Sequence, residues 1–448
     1  YVVIGASAAG ISGAKTLREL DNDAEVVLVS KDEHVYSRCI LHHYISNHRD
    51  VEALNFTGKD FFEKYNINWK KGIEITSVND VEQTLSLSNG ETLAYDKLMI
   101  CSGASAFIPP VEGLRTSNNV VGLRNLEDAV LIKEQAAKVK NVVVLGAGLV
   151  GIDALSGLLD SGVNISLVEM SNKVLPLQLD EYTSNVYKNK FEEKGVNLKL
   201  GVSAVKLNVD ENNNPVSLSL NNGENVPCEL VIVATGVRSN IAFLENSNVE
   251  CDRFGLLIDE KGKTNIDNIY GAGDVTGRNP IWPTAVKEGI IAANNMLGKE
   301  MIMTDFFGSK NTMNFVGIAT MSLGAVEPED ETYIVEVKNE EDKIEIARIV
   351  FEEYLKLTYE NYLNDRNEKI NILKDYKIND ITVLEKLNYE VYRIEVSYDL
   401  QSTDGYATVF ETGNGEIKED NWVKGKYQIV DIKKIGEYKY TISDMYTG

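Results

Sequence analysis

Two segments of the chain repeat one arrangement of apolar and polar positions. In each, a short apolar strand runs into a glycine-rich turn, a segment with helical periodicity follows, and a second apolar strand closes the unit. The first segment has its opening strand at 1–4, its turn at 5–10 and its closing strand at 25–29. The second has these features at 142–145, 146–151 and 164–169. Both segments are therefore predicted to be βαβ units of parallel sheets.

The pattern changes near residue 337, where glycines become rare and lysine, glutamate, asparagine and tyrosine predominate. Between 341 and 364 the apolar residues recur at the spacing of one helix face. From residue 380 onward apolar and polar positions alternate, as in 389–398 and 427–435, which predicts antiparallel strands. A helix followed by strands indicates a separate α+β domain. This order of elements is similar to that of small cystatin-like or NTF2-like folds.

The composition mainly argues against certain partners and sites. The 448 residues, 43% of them hydrophobic, are enough for several domains with their own cores. A net charge of −23 would repel a phosphate backbone, so we expect no nucleic-acid partner. The longest apolar runs are far too short to span a bilayer, so we expect no membrane partner. The four cysteines are scattered without a C-x-x-C pair, which predicts no metal site and no disulfide framework and favours a cytoplasmic location.

The turn of the first unit departs from the usual dinucleotide-binding fingerprint because Ser7 stands at its second glycine. A small residue still lets the backbone approach a pyrophosphate, and Gly10 still allows close packing of helix on strand. The start of the following helix attracts an anion through its free N–H groups and its dipole. The residues expected to hold a cofactor here are Gly5, Ser7, Ala8, Ala9 and Gly10. At the end of the closing strand, Ser30 and Lys31 occupy the ribose-binding position, with Asp32 or Glu33 as alternatives.

The turn of the second unit matches the fingerprint in full, after a strand and before a helix. The residues expected to hold a pyrophosphate here are Gly146, Gly148, Leu149, Val150 and Gly151. Glu169 closes the next strand about 20 residues further on, where a carboxylate accepts hydrogen bonds from a ribose 2′-OH and repels a 2′-phosphate. NADH is therefore expected in preference to NADPH.

Four further motifs accompany the two turns: ICSGA at 100–104, LRNLEDA at 123–129, ATGVRSN at 234–240 and NIYGAGD at 268–274. With these motifs in this order, the chain resembles the pyridine nucleotide-disulfide oxidoreductase superfamily from residue 1 to about residue 336. The resemblance implies an α/β fold with two Rossmann-like, doubly wound, three-layer dinucleotide-binding domains, the first for FAD and the second for NADH. The implied boundaries are 1–112 and 246–301 for the FAD-binding domain, 113–245 for the NAD(P)H-binding domain, and 302–337 for the start of an interface or dimerisation domain. Residues 338–448, the C-terminal α+β domain, do not match the remainder of the family, and their origin stays open.

The resemblance also implies roles for single residues. Ser102 and Gly103 close the first half of the FAD site, and Gly236 belongs to a second turn of the same type. Asp274 would accept hydrogen bonds from the ribityl hydroxyls of the flavin. The helix that opens with Trp282 and Pro283 would direct its N-terminus at the pyrimidine edge, where its dipole would stabilise a reduced, anionic flavin.

The stretch YSRCILHHYI at 36–45 resembles two branches of this superfamily. One comprises the single-cysteine coenzyme A-disulfide reductases and NADH oxidases, in which a cysteine beside the flavin is the redox centre. Cys39 would be that catalytic residue, and Arg38 next to it at a helix start would lower the pKa of the thiol. The other branch comprises flavoproteins such as nitrite reductases and rubredoxin reductases, which need no cysteine. In that branch Cys39 would be a packing residue.

The sequence therefore predicts an FAD-dependent NAD(P)H oxidoreductase that passes electrons from NADH through flavin to a small redox protein or another acceptor. The alternative is a thiol-disulfide reductase similar to coenzyme A-disulfide reductase, or an NADH oxidase, which would use Cys39 and act on a small disulfide or dioxygen. The resemblance also implies a homodimer, because members of this type dimerise through the domain that begins near residue 306.

Overall fold

The computed structural model describes residues 1–278, 280–304, 310–323, 326, 340–363, 368–387, 391–403, 405–410, 416–436 and 439–446. They fall into two units, Tyr1–Glu327 and Pro328–Gly448. The α-helices among them are α1 Ala8–Leu20, α2 Leu41–Ile45, α3 Phe61–Lys64, α4 Leu126–Ala136, α5 Leu149–Leu158, α6 Glu181–Glu193, α7 Trp282–Met296, α8 Glu340–Tyr359 and α9 Ala407–Phe410. None of the helices in these ranges combines the length and the apolar character that a membrane crossing requires.

The first predicted βαβ unit lies at the centre of a parallel sheet. Its strands, in spatial order, are Ile269–Gly271, Leu98–Ile100, Val2–Ile4, Val27–Ser30 and Asn68–Lys71. The central strands are apolar and buried because both faces of the sheet are covered. Residues of α1 and α7 pack on one face. The other face is covered by an antiparallel sheet of Ile75–Asn79, Thr84–Leu87 and Thr92–Ala94.

The second predicted unit is built in the same way. Its parallel strands, in spatial order, are Asn197–Leu200, Asn164–Glu169, Asn141–Leu145, Leu230–Val233 and Val120–Gly122. Helices α4, α5 and α6 contribute to the core on one face. An antiparallel sheet of Ala204–Val209, Pro215–Leu220 and Asn225–Pro227 packs on the other face. The prediction of two three-layer, Rossmann-like α/β domains is confirmed.

The second sheet is inserted between consecutive strands of the first. The chain leaves the first sheet after Leu98–Ile100 and returns to it at Ile269–Gly271, the parallel neighbour of that strand. The outgoing segment Ala104–Ala106 and the returning segment Val237–Ser239 pair with each other as antiparallel strands. This order agrees with a split first domain, while the individual boundaries at 112, 245 and 301 stay predictions.

Residues 310–323 form a hairpin of the strands Lys310–Phe315 and Ile318–Leu323. Met313 and Phe315 of this hairpin join the core that covers the second sheet. The Tyr187 hydroxyl of α6 donates to the carbonyl oxygen of Ile318 at 2.8 Å. Of the predicted interface segment 302–337, residues 305–309, 324, 325 and 327–337 lie outside the described residues.

The described residues of the unit Pro328–Gly448 form the long helix α8, the short helix α9 and antiparallel strands, in agreement with the predicted α+β class. Its long strands, in spatial order, are Leu373–Lys386, Val391–Ser402, Trp422–Gly436 and Lys439–Tyr446. Shorter strands are Tyr362–Leu363, Lys369–Ile370 and Glu416–Ile417. Helix α8 contributes Ala347, Phe351 and Leu355 to the core of this unit. A bidentate ion pair joins Arg393 to the buried Asp431, with N–O distances of 2.8 and 2.9 Å.

Candidate functional site

A cleft of about 1260 Å³ opens where the strands of the first sheet end. Its lining includes Gly5, Cys101 and Ala272, each of which directly follows a parallel strand, and Ser30, the last residue of another. Open α/β sheets bind ligands at this end of their strands. The volume exceeds the roughly 300–1,000 Å³ typical of pockets for drug-sized ligands, so an elongated molecule can fit.

The structure brings most of the predicted residues of the first site together in this cleft. Those that line it are Gly5, Ser7, Ala8, Ala9, Ser30, Lys31, Arg38, Cys39, Ser102, Gly103, Asp274 and Trp282. Gly10 lies behind the turn, and Pro283 follows Trp282 in the first turn of α7 without lining the cleft. The predicted residues of the second site lie at the second sheet: Gly146, Gly148, Leu149, Val150, Gly151, Glu169 and Gly236.

The glycines of the first turn are required by close backbone contacts. Gly5 has a φ of +106°, and a Cβ at this position would overlap the carbonyl oxygen of Cys101. A Cβ on Gly10 would overlap the carbonyl oxygen of Gly5. Helix α1 therefore starts directly against the strand end. Ser7 is its N-cap residue, but the Ser7 side chain makes no capping hydrogen bond, so the N–H groups of the first turn are not satisfied by it.

The second turn has the same geometry. Gly146 has a φ of +107°, and a Cβ on Gly151 would overlap the carbonyl oxygen of Gly146. At Gly148, the N-cap residue of α5, a Cβ would meet nothing within 4 Å, and the same holds at Gly236. The Glu169 carboxylate lies at this turn and accepts hydrogen bonds from the N–H groups of Ala147 at 2.7 Å and Ser171 at 2.8 Å. The turn thus has a carboxylate on one side and open space on the other.

Arg38 does not act on the Cys39 thiol as the sequence suggested, because its guanidinium is bound to other groups. Its guanidinium pairs with the carboxylate of Asp32 at 2.7 Å and donates to the hydroxyl of Tyr36 at 3.0 Å and to the carbonyl oxygen of Arg124 at 2.9 Å. The Tyr36 hydroxyl donates to the other Asp32 carboxylate oxygen at 2.9 Å. Asp32 is therefore engaged on both oxygens.

The ribose-binding position of the first site is also partly occupied by internal contacts. The Ser30 hydroxyl donates to the carbonyl oxygen of Asp32 at 2.8 Å and accepts from the indole N–H of Trp69 at 2.9 Å. Ser30 therefore keeps only one lone pair for a ligand. Glu33 is exposed and lines the cleft, so of the two alternatives its carboxylate is the more available.

Cys39 lies on a short 3₁₀ turn, Arg38–Ile40, and its side chain is accessible from the cleft. The pKa of the thiol is raised, first because the surrounding protein removes it from bulk water, and then because of the negative charges of Asp153 and Asp274. Arg124 opposes this effect in part. The prediction of a lowered pKa is therefore wrong, because Arg38 is paired with Asp32 while two carboxylates lie near the thiol.

Arg124 is a site residue to which the sequence analysis assigned no role. Its guanidinium contacts the carboxylate of Asp274 and donates to the carbonyl oxygen of Ala104 at 3.0 Å. Asp128 holds the backbone of this segment by accepting from the Arg124 N–H at 2.8 Å, and it forms a capping box with Asn125 at the start of α4. The motif at 123–129 was visible in the sequence, but the contact with Asp274, 150 residues away, was not.

Glu288, in the second turn of α7, was also missed. Its carboxylate accepts from the backbone N–H of Gly273 at 2.6 Å, directly behind the turn that carries Asp274. Burial raises the pKa of Glu288 to about 7, and the charge of Asp274 acts in the same direction. A single glutamate in an amphipathic helix gives no sequence signal for such a role.

A second polar contact connects the segment of Cys39 with the second sheet. His42 Nδ1, on α2, lies 3.1 Å from a carboxylate oxygen of Asp153, on α5. Burial raises the pKa of Asp153, and His42 lowers it in part.

Among the residues that the structure describes, no group of three or more His, Cys, Asp or Glu side chains is arranged to hold a metal ion.

The fold and the cleft define a protein with two parallel sheets, each carrying a dinucleotide-type glycine turn at the carboxyl end of its first strand. The chain belongs to the pyridine nucleotide-disulphide oxidoreductase family, whose model matches residues 1–289. Members of this family are flavin-dependent NAD(P)H oxidoreductases. The predicted superfamily and reaction class are confirmed.

Three relatives illustrate the similarity. The epsilon subunit of the NADH-dependent phenylglyoxylate dehydrogenase of Aromatoleum evansii is 29% identical over 337 residues, which cover 72% of this chain and 79% of that subunit. An NADH oxidase of Methanocaldococcus jannaschii is 30% identical over 318 residues, 67% of this chain and 70% of the oxidase. In fold, the ferredoxin reductase for the CYP199A2 system of Rhodopseudomonas palustris has a TM-score of 0.63 and 23% identity, over 68% of this chain and 78% of that one.

Proposed function

We propose that the chain oxidises NADH and passes the electrons through FAD, bound in the cleft, to a small redox protein. The relatives include an NADH oxidase and an NADH-dependent enzyme subunit, and the fold is shared with a ferredoxin reductase. The proposal rests mainly on one structural observation, the absence of side-chain caps at the N-termini of the three helices that begin at the proposed cofactor sites.

Three helices begin at the predicted cofactor sites: α1 and α7 at the cleft and α5 at the second turn. None of the three has a side-chain capping hydrogen bond, and none has an acidic residue in its first turn. Of the other described helices in the first unit, the longer ones, α4 and α6, are capped by Asn125 and Asp180, while the short helices α2 and α3 also lack a side-chain cap. A helix end without a cap needs another partner for its N–H groups, and a phosphate or a flavin carbonyl supplies one. Caps are thus absent where anionic ligands are proposed.

The residues of the cleft fit FAD in other respects. The first turn brings the backbone close to any ligand, since only glycine is tolerated at Gly5 and Gly10. Asp274 contacts Arg124 through one carboxylate oxygen, so the other oxygen remains for the hydroxyl groups of a ribityl chain. Ser102 and Gly103 line the same cleft.

Bound FAD would supply the chemistry of accepting a hydride from NADH and releasing electrons to a protein acceptor. The chain's own residues position the cofactor and exclude water. The ring of Trp282 packs edge-on against Phe56, with 4.7 Å between ring centres, which fixes a bulky apolar wall at the start of α7. The dipole of α7 then acts on whatever group lies at its N-terminus, where it favours negative charge.

NADH is proposed for the second site, with NADPH disfavoured. Glu169 follows the strand Asn164–Glu169, and its carboxylate already lies at the glycine turn through the Ala147 N–H. A carboxylate in this position accepts hydrogen bonds from a ribose 2′-OH and repels a 2′-phosphate. The open space beside Gly148 and Gly236 leaves room for the dinucleotide to enter.

A second candidate function is supported by the accessibility of Cys39 in the same cleft. A thiol beside a flavin can reduce a disulfide or stabilise an oxygen-derived intermediate, as a coenzyme A-disulfide reductase or an NADH oxidase requires. The raised pKa of Cys39 weakens this candidate, because the thiolate is the nucleophile and a raised pKa reduces its population at neutral pH. We therefore rank transfer to a redox protein first.

The experiment that separates the two functions is an anaerobic titration of the yellow protein with NADH, in the wild type and in Cys39→Ser. We expect the flavin absorbance to bleach without a new long-wavelength band, and Cys39→Ser to keep NADH-to-dye and NADH-to-ferredoxin activity. Cys251→Ser, which alters a partly exposed thiol outside the cleft, is the matched control. A long-wavelength band that is lost in Cys39→Ser, together with loss of acceptor reduction, would favour the thiol mechanism.

The remaining sequence-based expectations also stay proposals. Cys39, Cys101, Cys228 and Cys251 are all free thiols, which supports a reducing compartment such as the cytoplasm. The homodimer and the domain boundaries at 112, 245 and 301 rest on the family resemblance, and the boundary at 337 rests on the change of composition there. Size-exclusion chromatography with light scattering tests the first, and limited proteolysis tests the second.

A further inference from the structure

A basic and aromatic surface borders the cleft in a chain of net charge −23. The ring of Phe107 lies between two guanidinium groups, with the Cζ atom of Arg238 4.1 Å and that of Arg115 5.8 Å from the ring centre. Both arginines are exposed, and the hydrogen bonds that their side chains donate go to backbone carbonyl oxygens. Within the described ranges no carboxylate forms an ion pair with either of them.

A third arginine extends this surface. Arg253 lies over the ring of Phe254 at 4.5 Å, and Phe254 is 50% exposed. The two parts are adjacent because the hydroxyl of Ser239, next to Arg238, donates to the carbonyl oxygen of Phe254 at 2.7 Å. In the part of the chain that the structure describes, no carboxylate forms an ion pair with Arg253, although the charge of the adjacent Asp252, which is paired with Arg278, acts on it. We call Phe107, Arg115, Arg238, Arg253 and Phe254 the arginine–phenylalanine patch.

The patch lies directly behind the wall of the cleft. Arg238 belongs to the strand Val237–Ser239, which pairs with Ala104–Ala106, and residues of both strands line the cleft. The carbonyl oxygen of Ala104 accepts from the Arg124 side chain, which in turn contacts Asp274. The strand pair that carries Arg238 therefore also forms part of the cleft wall.

The charge of the patch is unusual for this chain. The sequence has 68 Asp and Glu residues against 45 Lys and Arg, so acidic groups to neutralise three arginines are abundant. Nearby, Arg278 is in fact paired with Asp252 at 3.0 Å. Arginines that lack an ion-pair partner among the described residues and lie over aromatic rings, one exposed (Phe254) and one half-buried (Phe107), have the composition of protein interfaces, where Arg and aromatic residues are enriched. Stacking on a ring also holds the guanidinium in place, which lowers the entropy cost of binding.

We propose that the arginine–phenylalanine patch is the docking surface for the acceptor, an acidic small electron-carrier protein; this inference rests on the proposed function. A positive patch on a negative protein directs an acidic partner to this one surface, because the rest of the chain repels it. Phe107 and Phe254 supply the apolar contact, and the arginines supply steering and orientation.

The test uses the FAD-loaded protein, with NADH as donor and an acidic [2Fe–2S] ferredoxin of the oxygenase type as acceptor. The patch variant carries Arg115→Gln, Arg238→Gln and Arg253→Gln. Menadione, a small neutral quinone, is the second acceptor for both proteins, because its access to the flavin does not depend on charge. Flavin content and melting temperature verify that the variant is folded.

The matched control removes three positive charges elsewhere, with Lys138→Gln, Lys140→Gln and Lys194→Gln. These exposed lysines precede the strands Asn141–Leu145 and Asn197–Leu200, at the amino ends of the second sheet. They change the net charge as much as the patch variant does, but at the end of the sheet opposite the glycine turn.

We expect the patch variant to lose kcat/KM for the ferredoxin by on the order of ten-fold at low salt, with the difference shrinking as salt is added. Menadione reduction should be unchanged, and the lysine control should reduce both acceptors like the wild type. Equal losses in the patch and lysine variants, a parallel loss with menadione, or no ferredoxin reduction by a wild type that reduces menadione would each overturn the docking proposal. A wild type that oxidises NADH with neither acceptor would contradict the proposed function itself.

Discussion

Replacing Glu288 by glutamine should make the folded protein more stable above neutral pH and change little in acid. The Glu288 carboxylate accepts from the Gly273 N–H at 2.6 Å and is largely buried, and burial raises its pKa from 4.5 to about 7. Glutamine keeps an oxygen that can accept from Gly273 and removes the charge. The contact with the turn that carries Asp274 is therefore retained, while the titration is lost.

The sign and size follow from linkage. Between pH 4.5 and about 7 the unfolded chain loses the proton of Glu288 while the folded protein keeps it, so the stability contributed by the protonated group falls as pH rises and is gone above about 7. At 1.36 kcal/mol for each pH unit by which a pKa moves, the rise from 4.5 to about 7 corresponds to about 3 kcal/mol. This figure is an order-of-magnitude upper value for the difference in free energy of unfolding between Glu288→Gln and the wild type at pH 8.

The assay is thermal release of flavin fluorescence from the FAD-loaded protein, at fixed FAD concentration, in steps from acid to alkaline pH. The melting temperature of Glu288→Gln should coincide with that of the wild type in acid and exceed it increasingly as pH passes neutrality, by at most roughly 2–4 °C per kcal/mol. Glu134→Gln, on the exposed face of α4, is the control and should follow the wild type. Parallel profiles for Glu288→Gln and wild type, or a gap that widens toward acid, would refute the reasoning.

Two other changes have direct expected outcomes. Gly10→Ala should abolish FAD binding, because the new Cβ overlaps the carbonyl oxygen of Gly5 and pushes α1 away from the turn; the purified protein should be colourless, which its visible absorbance measures. Arg393→Met should destabilise the C-terminal unit by on the order of 1–3 kcal/mol, since it removes two charge-assisted hydrogen bonds from the buried Asp431. Urea unfolding followed by tryptophan fluorescence should show a transition at lower urea than in the wild type, and unchanged flavin release would show that the effect is local.

The two parallel sheets and their turns were predictable because their causes are local in sequence. Short apolar runs make buried strands, and Gly5, Gly10, Gly146 and Gly151 occupy places where any side chain would strike a carbonyl oxygen. A steric requirement of this kind is visible in the sequence, because only glycine meets it. The helix of the C-terminal unit was also predicted from its periodicity, although it ends at Tyr359 rather than at 364.

The electrostatics of the site could not be predicted, because they depend on residues far apart in sequence. Proximity in sequence suggested that Arg38 acts on Cys39, yet Arg38 pairs with Asp32. The pKa of the thiol responds instead to burial and to Asp153 and Asp274, which lie 114 and 235 positions further along the chain. The sequence shows which residues are adjacent along the chain, whereas a pKa depends on the charges and the burial that surround a group in the folded protein.

The two glycine turns have the same backbone geometry, so the difference between a cofactor that stays bound and one that exchanges must come from other parts of the two sites. Gly5 and Gly146 have φ angles of +106° and +107°. The backbone of the two turns therefore offers the same contacts to a pyrophosphate and does not explain why one ligand would dissociate more slowly than the other. What differs is the surroundings. The first turn opens into a cleft walled by residues from segments of both sheets, whereas a Cβ at Gly148 beside the second turn would meet nothing within 4 Å. A ligand enclosed on many sides dissociates slowly, and one held at an open turn exchanges. This difference supports FAD as the cofactor that stays bound in the first site and NADH as the substrate that passes through the second.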